Sequence, residues 1–186
     1  MRIFLSLFLL PPFLLVSPAF SKPLNSYIQS VNKHVMWWDG FIYADSFKKS
    51  AKEFNLSPSW LASIAQQETA FTESTDDGRS PASYGIMQLQ VRTAKIIAKA
   101  LGDDYDIIDG EWLNTHPEKS IRYAACHLRS LLNMFGGSYY WATRAYNGGD
   151  KRIKLSRKGS LKWKGLSVRY YNAVFKHFIQ IKEYTK

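Results

Sequence analysis

The chain has 186 residues, 46% hydrophobic and 22% charged, which is ample for one buried core and short for two domains. Its formal net charge of +10 favours a polyanionic partner, either nucleic acid or an anionic cell surface. Cys126 is the single cysteine, which excludes an intramolecular disulfide and leaves a structural role as the favoured interpretation. The four histidines have no metal-ligand spacing, so we expect no metal and no cofactor.

The first 21 residues have the pattern of a secretory signal peptide. Arg2 precedes an apolar run, residues 3–16, that is too short to span a bilayer comfortably. Ala19 and Ser21 supply the small residues that a signal peptidase needs, so we expect cleavage after Ser21, with an uncleaved anchor as the alternative. Secretion across an inner membrane makes a cell-wall polyanion a better match to the charge than DNA, and no nucleic-acid partner is expected.

Residues 22–40 form a polar and aromatic lead-in to the main predicted domain, residues 41–186. Trp37 and Trp38 form either a partner surface or part of the packing, and packing is the favoured interpretation. The next segment has apolar residues at every third or fourth position, which predicts an amphipathic helix. These positions are Phe41, Ala44, Phe47, Ala51 and Phe54.

A second helix is predicted from Pro58, because Ser57 can cap its free amides and proline is tolerated at the first helical position. Glu68 follows Leu61 by seven residues and Ile64 by four, so it projects from the buried stripe. A carboxyl held against apolar neighbours resists ionisation, so we expect a raised pKa for Glu68 and a proton available for general acid catalysis. The alternative is a glutamate that simply reaches solvent at a helix end.

A polar loop rich in turn-forming residues, 72–81, follows Glu68 and precedes the sequence Gly85-Ile86-Met87-Gln88. Glycine lets the backbone approach a ligand closely, and the two apolar residues can anchor the segment. The side-chain amide of Gln88 both donates and accepts hydrogen bonds, which suits sugar hydroxyl and acetamido groups.

The second half of the chain is dominated by a predicted core helix that opens at Pro117 and stops at Gly136-Gly137. Its unbroken apolar stripe comprises Ile121, Ala124, Ala125, Leu128, Leu131, Leu132 and Phe135. A helix over residues 91–101 and an irregular segment over residues 103–116 precede it. Ser138 can cap the following helix, which leads into a turn at residues 146–149.

Seven lysines and arginines lie between residues 151 and 164, together with Trp163. Two interpretations stay open for this stretch, a solvated loop and a binding site for an anionic polymer. A final aromatic-rich helix is predicted over residues 166–184. No segment requires the two-residue period of a strand, so the predicted fold class is all-α.

Four motifs in this order resemble the signature of the lytic transglycosylase family, which has the soluble-transglycosylase, goose-lysozyme-like fold. The resemblance covers residues 41–184, and the motifs are Glu68-Thr69, Gly85-Ile86-Met87-Gln88, Thr93-Ala94 and Ala145-Tyr146-Asn147-Gly148-Gly149. Thr69 stands where the family has serine, Ile86 where it has leucine and Gly148 where it has alanine. None of these changes removes a required chemical group.

The resemblance implies a compact lysozyme-like helical domain with a glycan-binding cleft, acting as a monomer on peptidoglycan in the periplasm or cell wall. Glu68 is implied as the catalytic acid and then base that yields a 1,6-anhydro product. The implied substrate-binding residues are Thr69, Gly85, Ile86, Met87, Gln88, Tyr146, Asn147 and Tyr170. Tyr171 is the competing register for Tyr170, and a secretion or conjugation machine is an associated partner.

Two alternatives remain open from the sequence. A hydrolytic muramidase on the same fold would use Asp76 or Asp77, from the loop after Glu68, to orient a water molecule. A wall-binding or assembly protein would use the cleft without cutting the glycan.

Overall fold

The computed structural model describes residues 22–72 and 82–186. The predicted signal peptide and most of the polar loop, with Asp76 and Asp77, lie outside these ranges. Over the described part of the chain the regular elements are helical, and extended pairing is limited to an isolated bridge between Tyr84 and Leu89. The predicted all-α class is confirmed.

Nine α-helices occur in the described part of the chain. They are α1 (Leu24–Val31), α2 (Trp37–Glu53), α3 (Pro58–Thr69), α4 (Val91–Leu101), α5 (Gly110–Thr115), α6 (Pro117–Met134), α7 (Tyr139–Gly148), α8 (Asp150–Arg157) and α9 (Val168–Tyr184). A short 3-10 helix, Leu161–Trp163, lies between α8 and α9.

Helix α6 forms the centre of the core, as its apolar stripe predicts. All seven residues of that stripe are buried, and the helix packs against α2, α4, α5 and α7. Gly136 and Gly137 follow its end with positive φ angles of 62° and 82°, a backbone conformation that glycine adopts without steric cost. Burial raises the pKa of the half-buried Cys126 thiol on this helix, so the thiol form is favoured, in keeping with a structural role.

The N-terminal helices differ from the prediction. Helix α2 starts at Trp37, and its aromatic first turn is exposed: Trp37 is 62% accessible and Trp38 46%. The favoured packing interpretation of this pair is therefore wrong, since the two rings pack edge-on against each other and not over the core. Phe41 is also exposed, because it lies seven residues before Lys48 and shares its solvent face. Ala44, Phe47 and Ala51 are buried as predicted.

Helix α1 lies within the predicted lead-in and contributes Leu24, Tyr27 and Ile28 to the core. It packs against α2 close to Gly40, where an added Cβ would come 3.4 Å from Gln29 Cγ. Helix α3 begins at Pro58 as predicted, but the Ser57 side chain makes no capping hydrogen bond. Ser138 does cap α7, accepting a hydrogen bond from the Trp141 amide at 3.4 Å.

Two segments for which the sequence predicted no helix contain helices. Residues 103–116 include α5, whose first turn is capped by the Asp109 carboxylate 2.7 Å from the Trp112 amide nitrogen. The basic stretch after Gly149 forms α8 and the 3-10 helix, with Ile153 and Ser156 buried. In both cases one or two inward-facing residues fix a short helix, which is too weak a pattern to predict from periodicity.

Among residues 22–72 and 82–186, none of the helices combines the length and the apolar character needed to cross a bilayer.

Candidate active site

Glu68 lies in the last turn of α3, where this helix meets α9. Leu61, Ile64 and Ala65 on the same face are fully buried, so the helix is fixed in the core up to the turn that carries the carboxyl group. The side chain of Glu68 is half-buried, and the Tyr170 hydroxyl donates a hydrogen bond to its Oε1 at 2.5 Å. The resemblance implied Tyr170, with Tyr171 as the competing register, and the packing of α9 on α3 places Tyr170 against the carboxyl group.

Tyr171 occupies a different face of α9. Its ring packs edge-on against Tyr140 at 4.7 Å and stacks with Phe175 at 5.9 Å. It therefore belongs to an aromatic cluster between α7 and α9 that does not include Glu68.

A tight turn at residues 84–89 lies beside the end of α3. Tyr84 and Leu89 exchange backbone hydrogen bonds of 2.9 and 3.0 Å, and the Gln88 amide closes the turn onto the Gly85 carbonyl at 2.9 Å. Ile86 and Met87 at its tip are fully buried and anchor it, as predicted. Gln88 is held with a positive φ of 49°, and its side-chain Nε2 donates to the Gly85 carbonyl at 3.1 Å.

Three side chains from three helices hold the backbone of this turn. The Thr69 hydroxyl donates to the Ile86 carbonyl at 3.0 Å, and the Tyr146 hydroxyl donates to the Met87 carbonyl at 2.7 Å. The Gly85 amide donates to Asn114 Oδ1 at 2.8 Å. These contacts join the Glu68-Thr69, Gly85-to-Gln88 and Tyr146-Asn147 motifs, which are far apart in sequence, into one site.

Gly85 fits a space that admits no side chain. Its φ is 72°, and an added Cβ would come 2.5 Å from the Leu113 carbonyl oxygen of α5. The backbone of α5 therefore lies directly against the turn, and glycine is required by both conformation and contact. The sequence indicated a close backbone approach at Gly85, and the observed approach is to the protein's own α5.

Tyr146 and Tyr170 form an electrostatic cluster with Glu68. Burial and the charge of the Glu68 carboxylate raise the pKa of both hydroxyls well above the usual range. Both tyrosines therefore remain protonated at neutral pH and act as hydrogen-bond donors. The hydrogen bond from the Tyr170 hydroxyl stabilises the charged form of the Glu68 carboxyl group.

The end of α7 carries Asn147 to the surface of this site. Asn147 is exposed, and its Oδ1 accepts a hydrogen bond from the Ser167 hydroxyl at 2.8 Å. An added Cβ at the neighbouring Gly148 would come 2.6 Å from the same Ser167 oxygen. Glycine at position 148, where the family has alanine, therefore makes room for this contact.

Sequence reasoning missed three residues that support the site. Asn114 and Ser167 act through single side-chain contacts across the fold, and neither lies in a periodic or motif-like position. His127 of α6 packs 5.7 Å from the Tyr146 ring. Burial lowers its pKa, partly opposed by the charge of Asp150, so its ring is neutral near pH 7. The described residues contain no group of three or more histidine, cysteine or acidic side chains that could hold a metal ion.

Comparisons with known proteins show the family to which the chain belongs. The family model of the Transglycosylase SLT domain matches residues 45–164. Protein IpgF of Shigella flexneri is 28% identical over 145 residues, covering 77% of this chain and 85% of that protein. The soluble lytic murein transglycosylase of Salmonella typhimurium is 28% identical over 134 residues, covering 71% of this chain but only 19% of that protein.

A solved structure shows the same fold. It is an inactive mutant of the lytic transglycosylase Slt from Pseudomonas aeruginosa, with a TM-score of 0.64 and 23% sequence identity. The similarity covers 75% of this chain and 24% of that one.

Proposed function

The chain belongs to the transglycosylase SLT domain family and is an enzyme of the lytic transglycosylase class, and from this premise we propose that it cleaves the β-1,4 bond between N-acetylmuramic acid and N-acetylglucosamine in peptidoglycan without consuming water. The observation that carries the proposal is the position of Glu68. Glu68 has a half-buried carboxyl group at the end of α3, and this group accepts a 2.5 Å hydrogen bond from Tyr170. The turn that carries Gln88 lies beside the end of this helix.

Glu68 acts twice in the proposed reaction. It first protonates the glycosidic oxygen, so that the bond from this oxygen to C1 of the muramoyl residue breaks and the N-acetylglucosamine leaves with a free hydroxyl. The substrate's own acetamido group stabilises the cationic C1. Glu68, now a carboxylate, then takes the proton of the muramoyl C6 hydroxyl as its oxygen bonds to C1. A 1,6-anhydro ring results, and Glu68 ends protonated as it began.

This scheme requires one carboxyl group where a hydrolase uses two. The C6 hydroxyl replaces water as the nucleophile, so no second acid has to activate a water molecule. Glu68 is the acidic residue whose charge acts on both Tyr146 and Tyr170. The two tyrosines line the site, and Tyr170 orients the carboxyl group between its two proton transfers.

The remaining site residues bind and position the glycan in this proposal. The amides of Gln88 and Asn147 hydrogen-bond to acetamido and hydroxyl groups of the sugars. Met87 packs beside the catalytic carboxyl group, and Thr69 fixes the turn through its bond to the Ile86 carbonyl. Gly85 lets the turn lie tightly against α5 and so fixes the position of Gln88.

We also propose that the enzyme is secreted across the inner membrane and works in the periplasm or cell wall, where its polymeric substrate lies. The basic composition supports this location, since an anionic envelope attracts a protein with more lysine and arginine than acidic residues. Association with an envelope-spanning secretion or conjugation machine is proposed on the resemblance alone.

Digestion of purified peptidoglycan tests the reaction. The wild-type chain should release fragments that end in anhydromuramic acid and are one water lighter than fragments with reducing ends. The variant Glu68→Gln should release neither kind of fragment. Reducing ends from the wild type would instead show a hydrolytic muramidase, and binding without cleavage by a folded wild type would show a wall-binding or assembly protein.

A further inference from the structure

The residues from 151 to 164, called here the basic segment, are not used by the proposed reaction. They include seven lysines and arginines and no acidic residue. Asp150, just before the segment, pairs with Lys154 at 3.6 Å. Arg152 and Lys162 lie over the Trp163 ring, at 5.4 and 5.0 Å from its centre. The segment therefore concentrates positive charge on one short helix and the turn that follows it.

Exposed leucines lie among these charges. Leu161 is 85% accessible and Leu155 48%, whereas Ile153 and Ser156 face inward and are buried. The Ser160 amide donates a hydrogen bond to the Leu155 carbonyl at 3.0 Å, which closes the end of α8. Leu161 follows Ser160 directly, so this bond keeps the backbone of the two leucines close together. Exposed leucines add nothing to the binding of ions in water, whereas their burial in an apolar medium is favourable.

The fold holds the basic segment in a fixed position. Arg144 of α7 is 1% accessible, and its guanidinium donates to the carbonyls of Leu166 at 2.8 Å and Lys164 at 3.2 Å. It also donates to the Ser156 hydroxyl at 3.1 Å. The backbone is thus tied to the protein interior while the charged side chains project outward. A surface held in this way loses little conformational freedom when it binds a partner.

We propose that the basic segment binds the surface of a bilayer containing anionic phospholipids. The lysines and arginines contact the phosphate groups, and Leu155 and Leu161 insert at the boundary with the acyl chains. Cationic residues flanking exposed apolar ones are the pattern of interfacial membrane binding, in which electrostatic attraction and apolar burial add. A soluble polyanion would use the charges alone, so the two leucines favour the bilayer.

Binding in this way would also position the proposed glycan site. The segment begins after Gly149, and Ser167 beyond its end bonds to Asn147 of the site. Docking at a membrane therefore brings the α7 side of the site close to the bilayer, so that the enzyme would cut glycan near the membrane surface.

Vesicle binding by the purified protein tests the proposal. Sedimentation should show at least roughly tenfold tighter binding to phosphatidylcholine vesicles with about a quarter phosphatidylglycerol than to phosphatidylcholine alone. The triple variant Arg157→Gln, Lys158→Gln, Lys162→Gln should lose at least about tenfold of the binding to anionic vesicles. The pair Leu155→Ser, Leu161→Ser should weaken vesicle binding several-fold and leave binding to soluble polyphosphate unchanged.

Matched variants distinguish binding by the basic segment from the effects of total charge and of exposed apolar residues elsewhere on the protein. Lys48→Gln, Lys52→Gln, Lys176→Gln removes the same charge from exposed positions elsewhere, and Ile96→Ser, Ile107→Ser removes two other exposed apolar residues. Equal losses in the controls would overturn the proposal, as would equal binding to the two kinds of vesicle. An unchanged vesicle affinity in the leucine pair would point to a soluble polyanion instead. Unfolding temperatures and cleavage of soluble glycan fragments verify that each variant is folded.

Discussion

The turn at residues 84–89 and the basic segment at residues 151–164, which consists mainly of α8 and the 3-10 helix, both stand out in the sequence, yet the fold holds them differently. Side chains from α3, α5 and α7 bond to the backbone of the turn, and its apolar tip is buried. The basic segment is tied mainly through Arg144, and most of its side chains face solvent. The first arrangement specifies atomic positions, as chemistry requires, whereas the second presents a surface, as binding requires.

The largest effect is expected at the Glu68 carboxyl group, the proposed acid and base. Glu68→Gln should lower the rate of peptidoglycan cleavage by at least roughly a thousandfold, because an amide can neither give nor take the proton. It should leave the unfolding temperature nearly unchanged, since its carbonyl oxygen still accepts the Tyr170 hydrogen bond. Release of soluble fragments over time provides the rate. Activity close to that of the wild type would place the acid elsewhere.

Arg144→Ala tests how the basic segment is held to the rest of the fold. Removing this buried guanidinium deletes its hydrogen bonds to the carbonyls of Leu166 and Lys164 and should cost about 2–4 kcal/mol of unfolding free energy. It should also speed proteolysis within the basic segment. Arg129→Ala is the matched control, because Arg129 likewise bonds to two backbone carbonyls, of Phe54 and Asn55, but at a more exposed place. Denaturant unfolding curves that coincide for the two variants would contradict the anchoring role of Arg144.

Tyr170→Phe removes the hydrogen bond to Glu68 and retains the ring. Loss of a hydrogen bond to a charged group costs about 1.5–3 kcal/mol, so kcat/KM should fall roughly ten- to a hundredfold. Tyr171→Phe should have little effect on cleavage, since its hydroxyl lies in the aromatic cluster with Tyr140 and Phe175. Steady-state assays on a soluble glycan measure both variants, and the reverse order would assign the role to Tyr171.

Gly85→Ala tests how closely the turn is fitted to α5. The variant forces a Cβ to within 2.5 Å of the Leu113 carbonyl at a φ of 72°, so it should lose about 1–3 kcal/mol of stability together with activity. Gly102→Ala is a suitable control, because its φ is 77° but no atom lies within 4 Å of the added Cβ. The difference in unfolding free energy isolates the clash. Equal losses would mean that only the dihedral angle matters.

The smallest effect concerns pH. Burial lowers the pKa of His127, so in acid the unfolded chain takes up a proton that the folded chain does not. The contribution of His127 to stability is therefore present above the ordinary histidine pKa and is lost as pH falls below about 6.5, by up to about 1.4 kcal/mol per pH unit.

Unfolding free energies measured between pH 7.5 and 5.5 should show a shallower slope in His127→Gln than in the wild type. His34→Gln, at an exposed position, should retain the wild-type slope. A slope unchanged by His127→Gln would assign the acid sensitivity to other groups.

The long elements could be predicted from the sequence because their signal is periodic and repeated. The apolar stripe of α6, which ends at Phe135 just after the helix, has seven positions in register, and all of them are buried. Helix α5 has six residues with only Leu113 buried, so it offered no period to detect. Trp37 and Trp38 were assigned to the packing on their apolar character, but α1 and α3 dock elsewhere along α2 and leave both rings exposed.

The residues of the candidate site likewise fall into those that the sequence identifies and those that it does not. Glu68, the Gly85-to-Gln88 turn and the Tyr146-Asn147 pair were identified as short motifs, each contained within a few residues. Asn114 was not identified, because its only signal is one hydrogen bond to an amide 29 residues away in sequence.

The sequence by itself determined that the chain is all-α, that Glu68 ends a buried helical stripe, and that positive charge gathers after Gly149. These properties depend on local spacing and composition, which the chain carries regardless of how it folds. Only the tertiary structure decided that Tyr170 and not Tyr171 meets the carboxyl group, that three helices fix the turn beside it, and that Leu161 remains exposed among the cations. Each of these depends on which helix faces pack together, a property of contacts between distant parts of the chain.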